Sequence, residues 1–310
     1  MIRKRLRASF NKRPKLKEKY THRRLLIVDM SHTFHVGWHI HSHLTHRGKS
    51  TAGIYGFFVM LLSKINLTQA THVLVCKDRK PYLRSKAFPE YKSNRGDTSK
   101  EYLDLRKKQN SNMVVCEKML DSMGVQTLAL PGYEADDLIT AFVQLYSKKF
   151  LEVFVLSGDT DLYQIFYLAE NVSFLRRSVV YTRKDFDSEF DLQSLGDWLL
   201  VNAFTGGHNN LNKVPGVGVI TAKKIIRDED KLEKYLVEYK KLIDLNVKLM
   251  KLPYDGKKTL FKVKKSGKIG SVLNPMYSFH KFKLIRKYGV TLTQSMSEAL
   301  RKLEVGQKVT

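Results

Sequence analysis

Short apolar runs alternate with stretches of helical periodicity along the first half of the chain. Three runs are rich in aliphatic and β-branched residues and are typical of buried parallel strands: Leu25–Val28, His72–Cys76 and Val153–Leu156. Three stretches between them place apolar residues at helical spacing: Tyr55–Ile65, Asn112–Met123 and Asp136–Tyr146. This alternation predicts an α/β fold with a central, mainly parallel sheet flanked by helices.

An aspartate follows each predicted strand. Asp29 ends the first run, Asp78 follows the second after one lysine, and Asp159 follows the third after a Ser-Gly pair. One such aspartate is an ordinary turn or cap residue. The carboxyl ends of parallel strands meet at one sheet edge, however, and three carboxylates placed there repel one another unless protons or cations intervene. The pattern therefore predicts a cation-binding crevice at this edge.

Two further acidic segments belong to the same prediction. The segment 134–137 opens a helix after a Pro-Gly-Tyr turn, and the segment 157–161 carries two aspartates. Acidic residues in a first helical turn also complement the helix dipole, which explains one or two of them without any ligand. The candidate metal ligands are six carboxylates: Asp29, Asp78, Glu134, Asp136, Asp159 and Asp161. Oxygen ligands without histidine or cysteine favour Mg²⁺ or Mn²⁺ over zinc, with a structural Ca²⁺ site as the alternative.

The net charge and the composition indicate which kinds of molecule the protein binds. The chain has 310 residues and a net charge of +25, from 55 Lys and Arg against 30 Asp and Glu, which suits a polyanion. No membrane-spanning run and no secretory signal is present, so we expect a cytoplasmic protein with no membrane partner. Residues 1–24 hold eleven Lys or Arg and one Glu, and we expect residues 1–23 to form a flexible basic arm. An acidic crevice within a basic protein indicates metal-dependent phosphodiester chemistry.

Six motifs occur in order between Arg24 and Arg227. They are Leu-Leu-Ile-Val-Asp29, Gly53-Ile-Tyr55-Gly56, Pro89-Glu90-Tyr91-Lys92-Ser93-Asn94-Arg95, Tyr133-Glu134-Ala135-Asp136-Asp137, Ser157-Gly158-Asp159-Thr160-Asp161 and Val214-Pro215-Gly216-Val217-Gly218. In these motifs the chain resembles the 5′-nuclease family. That family includes phage 5′–3′ exonucleases, flap endonucleases and the N-terminal nuclease domain of bacterial DNA polymerase I.

The resemblance implies a nuclease that acts in replication or recombination. It would cut DNA at 5′ ends, flaps or branch points, with RNA primers in RNA–DNA hybrids as a further substrate. Asp29, Asp78, Glu134, Asp136 and Asp159 would hold the first metal, Asp159 would also be catalytic, and Asp161 would belong to a second metal site. The implied organisation is a PIN-like core at 24–190 with an arch at about 79–110, then a helical DNA-binding lobe at 191–310. We expect a monomer, located in the host cytoplasm if a phage encodes it.

The arch segment is the first predicted contact with nucleic acid. Residues 77–110 are rich in Lys and Arg, although such a segment is also typical of a solvated face. The resemblance implies that Tyr91 stacks on a base and that Lys92 and Arg95 clamp the scissile phosphate as catalytic residues. Arg84 is a further candidate phosphate contact.

A glycine hairpin is the second predicted contact. Gly216 and Gly218 let the backbone approach phosphate, and Lys223 and Lys224 follow on the next helix. The resemblance implies a helix-hairpin-helix at about 200–227 that grips duplex backbone and holds a K⁺ ion. Lys213 stands in place of the first glycine of the family pattern.

One departure from the family pattern concerns the second metal. Gly206 and Asn209 occupy the places of two family aspartates, so the first metal site is expected to be strong and the second weak. His208 is an alternative Mn²⁺ ligand. The departure leaves a second hypothesis, a structure-specific DNA-binding protein with weakened or lost catalysis. A single-strand ribonuclease of the PIN-like class is a third.

Two remaining segments carry weaker signals. Six of the ten histidines lie between His32 and His46, where a helix followed by a loop is favoured over a zinc site at His41-Ser42-His43. In the last part of the chain, Lys231–Met250 is predicted to be helical. Lys257–Ser271 alternates apolar and basic residues, which predicts a strand pair or a flexible lobe.

Overall fold

A mostly parallel sheet lies at the centre of the protein. The computed structural model describes residues 22–93, 99–207, 211–268 and the backbone of 271–272. The strands are β1 (Arg24–Asp29), β2 (Thr45–His46), β3 (Lys49–Ser50), β4 (His72–Cys76), β5 (Gln126–Leu128), β6 (Glu152–Leu156), β7 (Val172–Arg176), β8 (Val179–Tyr181) and β9 (Ser271–Val272). The sheet order is β5-β4-β1-β6-β7-β8; β8 and β9 pair antiparallel with β7 and β4, and β2 and β3 form a separate hairpin.

Helices cover both faces of this sheet. They are α1 (Met30–Ile40), α2 (Ala52–Thr68), α3 (Leu83–Ala87), α4 (Lys100–Ser122), α5 (Ala135–Tyr146), α6 (Arg183–Phe190), α7 (Leu195–Thr205), α8 (Val219–Arg227), α9 (Glu229–Glu238), α10 (Lys240–Met250) and α11 (Lys257–Lys265). Short 3₁₀ helices span Ser147–Lys149 and Thr160–Tyr167. The predicted α/β class with a mainly parallel sheet is confirmed.

The central strand β1 shows how the sequence builds two cores. Its side chains alternate between the two faces of the sheet. Leu25 and Ile27 are buried against α5 and the helices of the second half, whereas Leu26 and Val28 are buried against α1, α2 and α4. Because β4 and β6 flank β1 in parallel register, Asp29 emerges at the middle of the carboxyl edge.

The last part of the chain corrects one prediction and refines another. The prediction of a strand pair or flexible lobe at Lys257–Ser271 is wrong over most of its length, because residues 257–265 form the helix α11. Thr259 and Val263, four residues apart, are both fully buried on one face of that helix. The predicted helix Lys231–Met250 is two helices, α9 and α10, separated at Tyr239.

Several predictions fall outside the described residues. They concern most of the basic arm, Arg95, and the His208 and Asn209 positions. In the described part of the chain, no helix combines the length and the apolar composition that a membrane span requires.

Candidate active site

The carboxyl edge of the sheet opens into a cavity of about 790 Å³. Five of the six predicted metal ligands line it: Asp29, Asp78, Glu134, Asp136 and Asp159. They come from the ends of β1 and β4, the start of α5 and the segment after β6. The strand-end aspartates thus meet around one cavity, and their binding of a metal stays a prediction.

Hydrogen bonds fix two of these carboxylates in place. Asp29 caps α1 by accepting from the His32 backbone N–H at 3.1 Å, and it also accepts from Ser157 Oγ at 2.9 Å. Asp78 accepts from the Ala135 backbone N–H at 2.8 Å, at the start of α5, and from Ser31 Oγ at 2.5 Å. The two carboxylates therefore tie together the ends of β1 and β4 and the starts of α1 and α5.

Burial and mutual repulsion raise the pKa values of two acids of this cavity. Burial, followed by the charges of Asp78 and Asp159, raises the pKa of Asp29 to about 7 despite the hydrogen bonds that it accepts. Burial and the charges of Asp159 and Asp29 likewise raise the pKa of Asp136 well above its usual value. A cation placed between these carboxylates would relieve both effects.

The donor set suits a hard divalent cation. All five lining carboxylates offer oxygen, the ligand atom that Mg²⁺ and Mn²⁺ prefer. Within the described residues, no three His, Cys, Asp or Glu side chains are drawn together closely enough to hold an ion as they stand. The chemistry of the residues thus fits the metal, and side-chain rearrangement has to complete its coordination.

Glu134 is engaged by three side chains. Its Oε1 accepts from Lys92 Nζ at 2.5 Å, and its Oε2 accepts from Arg84 Nη1 at 2.9 Å and from the Tyr91 hydroxyl at 3.0 Å. Burial alone raises the pKa of this carboxyl, but Lys92 and Arg84 outweigh burial and lower it. Lys92 lines the cavity, and its contact with the scissile phosphate stays a prediction.

Two predicted nucleic-acid contacts, Arg84 and Tyr91, have buried side chains that already hold partners within the protein. Arg84 is 3% exposed and donates to both oxygens of Asp137 at 2.7 and 2.8 Å, and to the Leu249 carbonyl at 2.7 Å. The guanidinium is therefore engaged within the protein, and its contact with a phosphate stays a prediction. Tyr91 is 5% exposed, packs against Leu249 and Met250, and lines the cavity, so its stacking on a base stays a prediction.

Sequence reasoning missed the role of Asp137. It is the buried partner of Arg84, and it also accepts from the backbone N–H of Glu134 at 3.2 Å in a capping box. Its position three residues after a helix N-cap was the available signal. The cavity also contains a missed pair: His35, on α1, lies 3.4 Å from Arg106 of α4, measured from Nε2 to Nη1.

Asp161 and Gly206 are not among the residues that line this cavity, and Asn209 lies outside the described residues. Asp161 is buried, at 7% exposure, and does not line the cavity. Gly206 ends α7 in a left-handed conformation, with φ of +77°, and a Cβ there would lie 2.5 Å from the Leu211 carbonyl oxygen. The local backbone therefore disfavours an aspartate at position 206.

The histidine segment follows the favoured interpretation. His32, His35 and His39 lie on α1, which ends at Ile40, and a turn and the hairpin β2–β3 come next. The zinc alternative required a strand at His41-Ser42-His43, which is not formed. His32 packs directly over Gly158, where a Cβ would lie 2.4 Å from the imidazole.

The predicted glycine hairpin stands between α7 and α8. Gly216 has a φ of +71°, which a turn of this kind requires, and Gly218 is the N-cap of α8. Lys224 is exposed, whereas Lys223 is half-buried with its Nζ 5.6 Å from the centre of the Phe190 ring. Whether these residues meet duplex backbone stays a prediction.

Comparison with known proteins identifies the family. The family model "5'-3' exonuclease, N-terminal resolvase-like domain" matches residues 24–191. DNA polymerase I of Thermus filiformis is 28% identical over 216 residues, which cover 69% of this chain and 25% of the relative. The 5′–3′ exonuclease of Bacillus subtilis is 29% identical over 198 residues, which cover 61% of this chain and 63% of the relative.

A solved structure shares the fold. The bacteriophage T5 D15 flap endonuclease, in a complex with DNA and metal ions, superposes with a TM-score of 0.64 at 20% identity, covering 79% of this chain and 97% of that one. The chain spans about a quarter of the length of the polymerase relatives that it matches. The family match extends over more than half of the chain. The protein therefore belongs to the 5′–3′ exonuclease family of hydrolases, as its motifs predict.

Proposed function

We propose that this protein is a divalent-metal-dependent 5′-nuclease that hydrolyses DNA phosphodiesters at 5′ ends, flaps or branch points. The observation that carries the proposal is the meeting of five carboxylates and Lys92 in one cavity at the carboxyl edge of the sheet. Family membership supports the same reaction class. RNA primers in RNA–DNA hybrids are a further substrate under this proposal, in replication or recombination.

The five carboxylates and Lys92 of the cavity each have a role in the proposed reaction. Asp29, Asp78, Asp136 and Asp159 would hold Mg²⁺ or Mn²⁺, with Glu134 as a further ligand. Bound there, the metal supplies a water of lowered pKa and offsets charge on the phosphate. Lys92, which contacts Glu134, would orient and neutralise the scissile phosphate.

Other parts of the proposal rest on the family pattern. The segment 214–218 and α8 would grip duplex backbone, with a K⁺ ion at the hairpin. Arg95 would join Lys92 at the phosphate, and a weak second metal site would involve Asp161. We propose a monomer that acts in the cytoplasm, or in the host cytoplasm if a phage encodes the protein.

A cleavage assay tests the proposed reaction. A 5′-labelled flap substrate is incubated with the protein and Mg²⁺ or Mn²⁺, and the products are resolved by length. We expect Asp159→Ala and Asp29→Ala to lower the rate by about a hundredfold or more while DNA binding persists. Asp121→Ala, which removes an exposed aspartate near the end of α4, is the matched control and keeps full activity. Cutting by Asp159→Ala at the parental rate would contradict the assignment.

One observation favours a second candidate function. Gly206 takes the place of a family aspartate, and its backbone conformation disfavours any replacement. A structure-specific DNA-binding protein with weakened catalysis is the corresponding alternative. If the pure protein binds the flap substrate tightly but leaves it intact in Mn²⁺, this alternative replaces the first.

A further inference from the structure

A second cavity, of about 1010 Å³, lies between the hairpin β2–β3 and helix α4. We call it the hairpin cavity. Its walls come from the end of α1, residues 45–51, the start of α2 and one side of α4. It contains none of the carboxylates assigned above to metal binding.

Helix α4 separates the hairpin cavity from the carboxylate-lined cavity of about 790 Å³, which we call the catalytic cavity. Arg106, Asn110 and Met113 line the catalytic cavity, and Leu105, Lys108 and Asn112 line the hairpin cavity. At 100° per residue, these two sets of side chains are roughly 140° apart around the helix. The hairpin cavity is therefore a separate site that shares one wall with the catalytic site.

The lining of the hairpin cavity combines cations with an apolar floor. Arg47, Lys49 and Lys108 are exposed basic residues on its rim, and Trp38 and Ile54 are buried apolar residues beneath them. Among the described residues that line it, none is Asp or Glu. The charge excludes a metal cation as the ligand and favours an anion with an apolar, planar part.

Unpartnered polar atoms lie in the same wall. Asn112 is 7% exposed, and its Nδ2 donates to the carbonyls of Ser50, at 2.9 Å, and Lys108, at 3.3 Å. These bonds fix the amide, and its Oδ1 is left buried with no hydrogen-bond partner, as is Ser50 Oγ. Both atoms are closed off from the cavity, so a ligand does not contact them, and the Asn112 bonds instead hold α4 against the hairpin strand β3.

We propose that the hairpin cavity binds one nucleotide unit in a single-stranded part of the nucleic acid that the enzyme holds. The base packs beside Trp38, and its phosphate is held by Arg47, Lys49 and Lys108. The proposal rests on the proposed nuclease function and adds a strand-binding site beyond the catalytic cavity. Because α4 is common to both sites, an occupied hairpin cavity would hold this helix in place during cutting.

Trp38 provides a local measurement. The chain has two tryptophans, and the other, Trp198, is buried in an aromatic cluster with Tyr163 and Phe186. The full chain is titrated in EDTA, which prevents hydrolysis, with a short thymidine oligonucleotide and separately with thymidine monophosphate. We expect the oligonucleotide to quench the emission, and Trp38→Phe to abolish the change. Lys108→Glu should lower the affinity for the oligonucleotide by about tenfold at low salt.

The matched control is Lys118→Glu, an exposed lysine on the same helix that lines neither cavity. It should leave the affinity within about twofold. The proposed site is refuted if the oligonucleotide does not change the tryptophan emission. It is also refuted if Lys108→Glu and Lys118→Glu lose equal affinity for the oligonucleotide. Monophosphate binding as tight as that of the oligonucleotide overturns its assignment to a strand. The titration contains no metal and requires no cleavage, so its failure is distinguishable from failure of the flap assay.

Discussion

Replacing Arg84 tests whether its guanidinium supports the core or meets a phosphate. Arg84 makes two bonds to Asp137, one to Glu134 and one to the Leu249 carbonyl, all between 2.7 and 2.9 Å. Arg84→Ala leaves both carboxylates buried with fewer donors, and breaking a buried ion pair in this way costs about 3–5 kcal/mol. For a chain of this size, we expect the Tm to fall by about 10 °C.

Calorimetry and DNA binding together decide the question. Lys86→Ala, an exposed basic residue on the same helix α3, is the control and should leave the Tm unchanged. Arg84→Met combined with Asp137→Leu should recover part of the lost stability, because it removes the charge on both sides of the ion pair. A different result would refute the structural role of Arg84. In that case Arg84→Ala would have the same Tm as the parent protein, and its affinity for DNA would be lower and less dependent on salt.

Four further outcomes are expected. Lys92→Ala should lower kcat for flap cutting more than it raises KM, because Lys92 is expected to act mainly in the transition state. If KM changes as much as kcat, Lys92 contributes to substrate binding as well as to the reaction step. Gly206→Ala should lower the free energy of unfolding in urea by at least about 1–2 kcal/mol, because φ is +77° and the Leu211 carbonyl is close. An unchanged urea midpoint would show that alanine is not strained at this position. EDTA should abolish cutting, and Mn²⁺ titration should give one tight and one weak phase; two equally tight phases contradict the weak second site. Burial and the charge of Arg23 lower the pKa of His72 to about 4. The contribution of His72 to stability is therefore complete above the ordinary histidine pKa of 6.5 and is lost as the pH falls towards 4. His72→Gln should make the Tm less dependent on pH between 6.5 and 4, and an equal dependence in the variant and the parent would refute this.

The parts of the molecule that were predictable from sequence depend on local pattern and on chain direction. Each apolar run formed a strand, and the rule that parallel strands present their carboxyl ends at one edge placed Asp29, Asp78 and Asp159 around one cavity. Nothing in the residues near Arg84 indicates a partner at Leu249, because that contact joins positions 165 residues apart. In the same way, apolar–basic alternation over residues 257–265 fits a strand and a helix equally, and the burial of Thr259 and Val263 decides it.

The Arg84–Leu249 contact also bears on how much of the chain the core needs in order to fold. Three other bonds join the core to the same returning segment: Gln164 donates to the Met250 carbonyl and accepts from the Leu252 N–H, and the Tyr254 N–H donates to Asp137. A fragment cut after residue 191, where the family match stops, would lose all of these partners at once. The smallest piece that folds with an intact Glu134 environment must therefore continue past Tyr254, so a truncation designed from the sequence match alone would remove the support beneath the carboxylates of the cavity.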